Sequence, residues 1–372
     1  MIRWRNGVVT NVKTSWPGAA ELAVDVAGVE IRALAYVDLV GLPQPGDRVV
    51  LNTTALDMGL GTGGYAHVVA IPDRLPADPP PAPGHLVKAR YTPLQTTVLG
   101  VDEQDSQWHA TLRDADDLDG MPVVVADLHS ALPAILAGVW STEDAQAPLR
   151  SDDRPAGPVR VVYVMTDGGA LPLRFSRTVA ELSSAGLLTA TVTVGQAFGG
   201  DIEAVTLHTG LLAARHVLQA DVAIVTQGPG NLGTGTRWGF SGVACGEAIN
   251  AAVVLGGRPV GSLRISSADP RGRHHGVSHH SLTAYGKVAL APADIVVPDL
   301  PGEFGQKVHT QAQRLAGRHH VVTAPVAGLE EELRRVPVRL STMGRGLDDD
   351  PEYFVAAAAA GAHAAALLRH DG

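Results

Sequence analysis

The sequence predicts an α/β protein with a mostly parallel sheet covered by helices on both faces, a Rossmann-like three-layer arrangement, preceded by a small N-terminal all-β barrel. Residues 1–72 alternate apolar and polar side chains, as half-buried strands do. After residue 85, short β-branched runs without alternation recur, which is typical of strands buried on both faces. Stretches of helical length separate several of these runs, and this order implies parallel βαβ units.

The N-terminal barrel is predicted from about five short strands within residues 1–72. Leu22, Val24 and Val26 alternate with less apolar neighbours, and Pro17, Gly18 and other turn formers separate the strands. So many short strands in so little chain indicate a small closed barrel of the SH3 or OB kind.

A proline-rich stretch separates this barrel from the rest of the chain. Six prolines occur in the thirteen residues 72–84, and such a segment can neither continue a helix nor pair in a sheet. We therefore predict a barrel at 1–72, a linker at 73–84 and an α/β domain at 85–372. The polar stretch 141–158 is a weaker candidate boundary, with a surface loop as the alternative.

The predicted strands and helices of the α/β domain alternate along the chain. The strands are expected at 121–126, 159–165, 188–194, 222–226, 259–265, 295–297 and 320–323, and helices at 175–185, 202–218 and 242–255. A last, alanine-rich helix should begin after the N-cap Asp350, with Pro351 in its first position, and run to about Arg369.

Composition excludes several classes of protein. The net charge of −9 disfavours binding to nucleic acid, and the single cysteine, Cys245, excludes an internal disulfide or a cysteine-rich metal cage. The longest apolar run, 356–368, is too short to cross a membrane, and the N-terminus lacks the apolar core of a signal peptide. The expectation is a cytoplasmic protein without membrane or nucleic-acid partners. A homodimer is expected only because homodimers are the commonest soluble oligomers.

Ligands of open α/β sheets bind beyond the carboxyl ends of the strands, so the segments that follow the strands are the candidate sites. Asp167 follows the strand at 159–165 and precedes Gly168 and Gly169. It is a candidate catalytic or ligand-binding carboxylate, and the alternative is a tight turn whose Asp caps a helix. In the segment 127–130, which follows the strand at 121–126, the pair His129 and Ser130 lies where a ligand-binding loop should, but without the surroundings of a hydrolase nucleophile.

A glycine-rich loop follows the strand at 222–226. Gly228, Gly230 and Gly233 fit the pattern G-x-G-x-x-G, in which glycines let the backbone approach a pyrophosphate. The acidic residue that should bind the ribose is missing, so an NAD(P) site is disfavoured, and a phosphate site and a structural turn both remain open. The candidate ligand-binding residues of the loop are Gly228, Gly230, Gly233, Thr234, Gly235 and Thr236.

The most unusual segment, 269–281, carries four of the chain's 15 histidines within seven residues. His275, His279 and His280 are candidate metal ligands, because imidazole is the commonest neutral ligand and the natural acid–base group at pH 7. On a helix His275 and His279 would share a face, although the intervening Gly276 and Val277 argue against a helix. The alternatives are an anion pocket and a polar surface loop. In the anion pocket, Arg271 and Arg273 would bind the ligand.

Four segments together resemble a bacterial family of unknown function, the domain of unknown function 3866. They are 90–95, 166–172, 228–236 and 276–280, and the resemblance covers nearly the whole chain. It implies a bacterial cytoplasmic setting. It supplies no activity, cofactor or catalytic residue.

The sequence favours an enzyme that acts on a small anionic, for example phosphorylated, substrate. Asp167, His275 and His279 would supply acid–base catalysis or help to hold a divalent metal, and metal-assisted hydrolysis is the favoured reaction. One alternative is a sensor that binds a nucleotide or metabolite without catalysis. The other, an NAD(P)-dependent oxidoreductase, is disfavoured by the missing acid.

Overall fold

The computed structural model describes residues 1–141, 149–151 and 154–368, with the backbone alone for 149–151 and 154–157. The described chain forms two compact units, Met1–Val98 with Arg174–Ala180, and Leu99–Leu173 with Glu181–Gly372. Most of the candidate boundary at 141–158 lies outside the fully described residues. No helix in the described ranges is long and apolar enough to cross a membrane.

The first unit contains the predicted closed barrel. Its strands are β1 (Trp4–Trp16), β2 (Ala19–Val26), β3 (Val29–Tyr36), β4 (Arg48–Asn52) and β5 (Ala66–Ala70), in the order β1-β2-β3-β5-β4. Leu22, Val24 and Leu51 are fully buried at its centre. Two short helices, α1 (Val37–Val40) and α2 (Thr54–Asp57), and the hairpin of β6 (Leu86–Lys88) and β7 (Thr96–Val98) also belong to this unit.

The second unit contains the predicted parallel sheet, which has eight strands in the order β13-β12-β11-β14-β8-β15-β18-β19. The strands of the unit, including two small pairs outside this sheet, are β8 (Pro122–Val125), β9 (Leu149–Ser151), β10 (Arg154–Gly157), β11 (Val161–Thr166), β12 (Ala190–Thr193), β13 (Ile202–Glu203), β14 (Val222–Gln227), β15 (Arg258–Ser262), β16 (Ile265–Ser266), β17 (Gly276–Val277), β18 (Asp294–Pro298) and β19 (His320–Ala324).

The other α-helices of the described residues are α3 (His109–Leu112), α4 (Leu132–Trp140), α5 (Arg177–Ser184), α6 (Leu207–Leu212), α7 (Ala244–Val254), α8 (His279–Thr283), α9 (Gly302–Ala312), α10 (Leu329–Arg335) and α11 (Pro351–Leu367). Two of the elements predicted from the sequence differ from those in the structure. The helix expected at 202–218 begins with β13, because Ile202 and Glu203 pair with β12. The strand expected at 259–265 ends at Ser262, and Ile265 pairs instead with Val277. The predicted end of α11, Arg369, lies outside the described residues.

Neighbouring strands at the centre of the sheet have connections that run in opposite directions. The chain leaves β8 for β11 on one side and leaves β14 for β15 on the other. Because such crossovers are right-handed, α4 and α7, which follow β8 and β14, lie on opposite faces of the sheet. The carboxyl ends of β8 and β14 therefore form a switch point, where open α/β sheets bind their ligands.

Two glycines allow α4 and α11 to pack with their backbones in contact. A Cβ atom added at Gly138 would overlap the carbonyl oxygen of Ala358, and one added at Gly361 would overlap that of Ile135. The alanine-rich sequence of α11 thus has a packing function, because small side chains let this helix lie directly on its neighbour.

Candidate functional site

A small cavity of about 20 Å³ lies at the switch point, between the ends of β8, β11 and β14 and the start of α7. It has room for about one water molecule. Asp127 follows β8, Gln227 ends β14 and Thr166 ends β11, and all three line the cavity together with Ser241 and Cys245. Most of the remaining lining is apolar, from valines and alanines of the sheet and of α7.

Two buried oxygen atoms beside this cavity, Oδ2 of Asp127 and Oε1 of Gln227, accept no hydrogen bond from the part of the chain that the structure describes. The amide of Gln227 is held in place because its Nε2 donates to the carbonyl of Asp127 (2.8 Å) and to Oδ1 of Asn231 (2.9 Å). A buried unpaired acceptor costs about 1–3 kcal/mol. Such atoms in a folded protein therefore call for a ligand, an ion or a functional explanation.

Three histidines lie together, and one of them, His280, lies next to Asp127. One ring nitrogen from each of His274, His279 and His280 falls within 4.8 Å of the others. The hairpin of β16 and β17 returns the chain to this point, and Ser278 then caps α8 by accepting from the backbone N–H of His280 at 3.2 Å. The strand pairing and the helix cap thus bring together histidines that are up to six positions apart in the sequence.

Each of the three rings is restrained by its surroundings. Nδ1 of His274 lies 2.8 Å from Oγ of Ser278. The ring of His280 stacks on Phe240, and Nε2 of His279 is buried without a hydrogen-bond partner. Both His274 and His280 are buried. The group is therefore oriented in advance and offers at least one ring nitrogen with no partner in the described protein.

Burial is the main reason why the imidazoles of His274 and His279 resist protonation. It lowers the pKa of His274 to about 3, helped by the positive charges of Arg264 and Arg271. Burial also lowers the pKa of His279 to about 4, with further contributions from His280 and Arg273. Both rings are neutral at pH 7, which is the form that binds a metal.

A chain of buried charges adjoins the histidines. Arg264, whose side chain is 4% exposed, lies 3.9 Å from Oδ2 of Asp127 and 4.0 Å from Oδ2 of Asp269. Asp269 accepts two hydrogen bonds from the guanidinium of Arg271, at 2.9 and 2.7 Å. These hydrogen bonds are the main reason why the pKa of the Asp269 carboxyl is well below its usual range. Arg271 is therefore occupied by Asp269, whereas Arg264 is only loosely paired.

The predicted site residues divide into two groups. His279 and His280 belong to the three-histidine group, whereas His275 lies outside it, with Nδ1 2.7 Å from Nζ of Lys307. The shared helical face considered for His275 and His279 does not form, because α8 begins only at His279. Asp167 is exposed, and its Oδ2 accepts from the backbone N–H of Gln196 at 2.8 Å.

The glycine loop approaches the histidines from the side of β14. Gly228 packs against the backbone of Ala170, and Gly233 forms a β-bridge with Phe240, so the loop folds back on itself. A Cβ atom added at Gly235 would lie 3.8 Å from Nη2 of Arg273. Gly230 and Gly235 have φ angles of +88° and +79°, which favour glycine.

The same loop departs from the geometry of a dinucleotide site. In such a site the helix begins at the third glycine, so that its N-terminus meets the pyrophosphate. Here Gly233 is followed by the exposed residues 234–238, and α7 begins only at Ala244. Thr234 and Thr236 bond each other and Gly239 within the loop.

Several residues of this site were not identified from the sequence. They are His274, Arg264, Gln227, Phe240 and the carboxylate of Asp127. Asp127 and Gln227 carry a usable signal, because each stands at the end of a buried strand. Arg264 and Phe240 carry no local signal, since their roles come from contacts with residues distant in the sequence.

The comparisons with known proteins identify a family. No curated protein matched the chain. The family described as "protein of unknown function (DUF3866)" matches residues 32–361, which confirms the resemblance seen in the sequence. This match covers most of both compact units. The chain belongs to the DUF3866 family.

Proposed function

We propose that this protein is a metal-dependent hydrolase that acts on a small anionic substrate at the switch point of the sheet. The observation that carries the proposal is the group formed by His274, His279 and His280, together with the buried Asp127 beside His280, whose Oδ2 accepts no hydrogen bond from the described residues. The substrate would lie over the carboxyl ends of β8 and β14, between the glycine loop and the 269–281 segment.

The donor set suits a catalytic metal ion. Imidazole nitrogens favour zinc and other first-row transition metals. Three protein ligands leave a coordination position open for water, whereas structural zinc sites are closed by four. Burial keeps His274 and His279 neutral, so at pH 7 no proton has to leave these two rings before an ion binds.

Hydrolysis is the reaction that such a centre supports most directly. A bound metal ion lowers the pKa of its water and so supplies hydroxide at neutral pH. The water oxygen bonds to the acyl carbon or phosphorus of the substrate, the bond to the leaving group breaks, and the leaving group takes up a proton. The balance needs water alone, without an oxidant or reductant.

The surrounding arginines support an anionic substrate. Arg273 is exposed and forms no ion pair with any described residue, and its guanidinium lies beside Gly235. Its backbone carbonyl accepts a hydrogen bond from the backbone N–H of His279 at 2.9 Å, which ties this arginine to the histidine group. An arginine next to the metal centre can bind a carboxylate or phosphate of the substrate through paired hydrogen bonds.

Metal content is the measurement that tests the proposal. We expect the purified, untagged protein to contain close to one transition-metal ion per chain and to hydrolyse small phosphate or carboxylate esters. A chelator should abolish this activity, and added metal should restore it. A protein that binds no zinc, manganese, iron or cobalt, even after incubation with each ion, would overturn the proposal.

A second candidate function is a sensor that binds a small anion without catalysis. The observation that favours it is the positive charge of Arg264, Arg271 and Arg273 around the histidines, which opposes a bare cation. The carboxylates of Asp127 and Asp269 offset part of that charge. A metal-free protein that is stabilised by phosphate or phosphorylated metabolites in a thermal-shift assay would support the sensor.

A further inference from the structure

We infer that Asp127 is a positioning residue of the proposed centre, which holds His280 in the tautomer that can bind a metal through Nε2. The inference rests on the proposed function and extends it to a residue outside the three histidines. Oδ2 of Asp127 lies 3.6 Å from Nδ1 of His280, and both side chains are 8% exposed. The same oxygen has no hydrogen-bond partner in the described protein.

The chemistry of imidazole links the two nitrogens of the ring. A neutral imidazole carries a proton on one nitrogen and a lone pair on the other. If Nδ1 carries the proton and donates it to Asp127, Nε2 keeps the lone pair that a metal ion needs. A carboxylate that accepts from the outer nitrogen of a metal-bound histidine also makes that histidine a stronger ligand.

A second side chain competes for the same nitrogen. Nη1 of Arg264 lies 3.5 Å from Nδ1 of His280, and a guanidinium can only donate. When Nδ1 accepts from Arg264, the proton sits on Nε2, and the ring cannot bind a metal there. Asp127 and Arg264 therefore favour opposite tautomers of His280.

When a metal binds, the surrounding charges favour the tautomer of His280 that donates to Asp127 over the tautomer that accepts from Arg264. A carboxylate is a charged acceptor, and a hydrogen bond to it is stronger than one to a neutral group. Arg264 also faces Asp127 at 3.9 Å and Asp269 at 4.0 Å, so it has carboxylate partners to approach when Nδ1 no longer accepts. Phe240 stacks on the ring of His280 and restrains its rotation.

Metal affinity of the full-length chain tests the inference. Zn²⁺ binding would be measured by competition with a chromophoric chelator, and geometry by the visible spectrum of the Co²⁺ form. For Asp127→Asn we expect Zn²⁺ affinity to fall about 10–100-fold, the usual effect of losing such a partner, together with a changed Co²⁺ spectrum. Asp127→Glu should recover part of the affinity.

The matched control is Asp294→Asn. Asp294 also contacts a histidine, with Oδ2 2.8 Å from Nε2 of His363. It is the first residue of β18 and therefore lies at the amino-terminal ends of the parallel strands, away from the candidate site at their carboxyl ends. Its replacement should leave both metal measurements unchanged. Wild-type affinity and spectrum in Asp127→Asn would overturn the inference, and the proposed function would still stand if His279→Ala lost the metal.

A direct reading of the tautomer keeps the inference testable if the Asp127 variants fail to fold. Nitrogen-15 spectra of the histidine-labelled wild-type protein with Zn²⁺ should show His280 protonated at Nδ1. Protonation at Nε2 in the metal-bound protein would overturn the inference. Absence of any metal binding by the wild-type protein would overturn the proposed function itself.

Discussion

The ring of His280 lies flat against the ring of Phe240, with the two planes 1° apart and the centroids separated by 3.8 Å. Phe240 stands at the end of the glycine loop and is held there by its bridge to Gly233. The loop that resembles a phosphate-binding motif in the sequence therefore also places an aromatic ring on the histidine group. Through the bridge from Gly233, the loop fixes Phe240 against a histidine of the candidate metal site.

Replacing Phe240 by leucine should weaken metal binding and leave the fold in place. An aromatic pair contributes about 0.5–1.5 kcal/mol beyond the area it buries, so we expect a loss of metal affinity of up to about tenfold. Chelator competition measures the affinity, and urea unfolding measures the stability. Phe304→Leu, which alters the neighbour of His275, is the control. Unchanged affinity in Phe240→Leu would show that the stacked ring is not needed.

His274 and His275 are adjacent in the sequence, but we expect opposite results when each is replaced by alanine. His274→Ala should lose bound metal, because its ring belongs to the three-histidine group. His275→Ala should keep it, because His275 contacts Lys307 and Phe304 instead. Elemental mass spectrometry of the two purified variants makes the comparison. Loss of metal in His275→Ala but not in His274→Ala would instead favour the metal ligands predicted from the sequence, which include His275.

The sequence identified the histidine segment but not its geometry. A helical spacing pairs His275 with His279, whereas the chain turns at Gly276, where φ is +85°, and pairs β17 with β16. That pairing joins Val277 to Ile265, and no local pattern reveals a contact of this kind. Long-range pairing therefore decided which histidine joined the site.

The barrel and the parallel sheet were predictable because their signals are local. The apolar–polar alternation in the sequences of β2 and β3 indicated strands, although the buried residues there form continuous runs such as 22–24 and 33–35 instead of alternating. The apolar run of β11 indicates a strand buried on both faces. The short strand β13 was missed because its two residues give no periodic signal within the polar 195–206 segment. The carboxylate of Asp127 became a candidate only when its lack of a hydrogen-bond partner was visible.

Gly138→Ala should destabilise the second unit even though alanine is the better helix former. The intrinsic preference favours alanine by about 1 kcal/mol, but the added Cβ would overlap the carbonyl of Ala358 in α11. Overpacking costs about 1–3 kcal/mol or more, so we expect a net loss in unfolding free energy. Gly317→Ala is the control, because nothing lies within 4 Å of the added Cβ. Equal urea midpoints for both variants would contradict this packing argument.

The stability of the protein should fall as the pH decreases from about 6.5 to 4, in part because of His129. Burial lowers the pKa of His129 to about 4, and its Nδ1 lies 2.9 Å from the hydroxyl of Tyr163. The unfolded chain, with an ordinary pKa of about 6.5, takes up this proton first, so acid favours unfolding.

The stabilisation from neutral His129 is thus fully present above pH 6.5 and is lost as the pH falls through the pKa of the folded state. A difference of about 2.5 pKa units corresponds to roughly 3 kcal/mol. The ring is half-buried, so solvent screening makes this figure an upper value. Urea unfolding of wild type and His129→Gln at pH 7, 5.5 and 4.5 measures the effect. The variant should lose less stability than wild type over this interval, because glutamine cannot take up the proton. Parallel losses in the two proteins would assign the acid sensitivity to other groups.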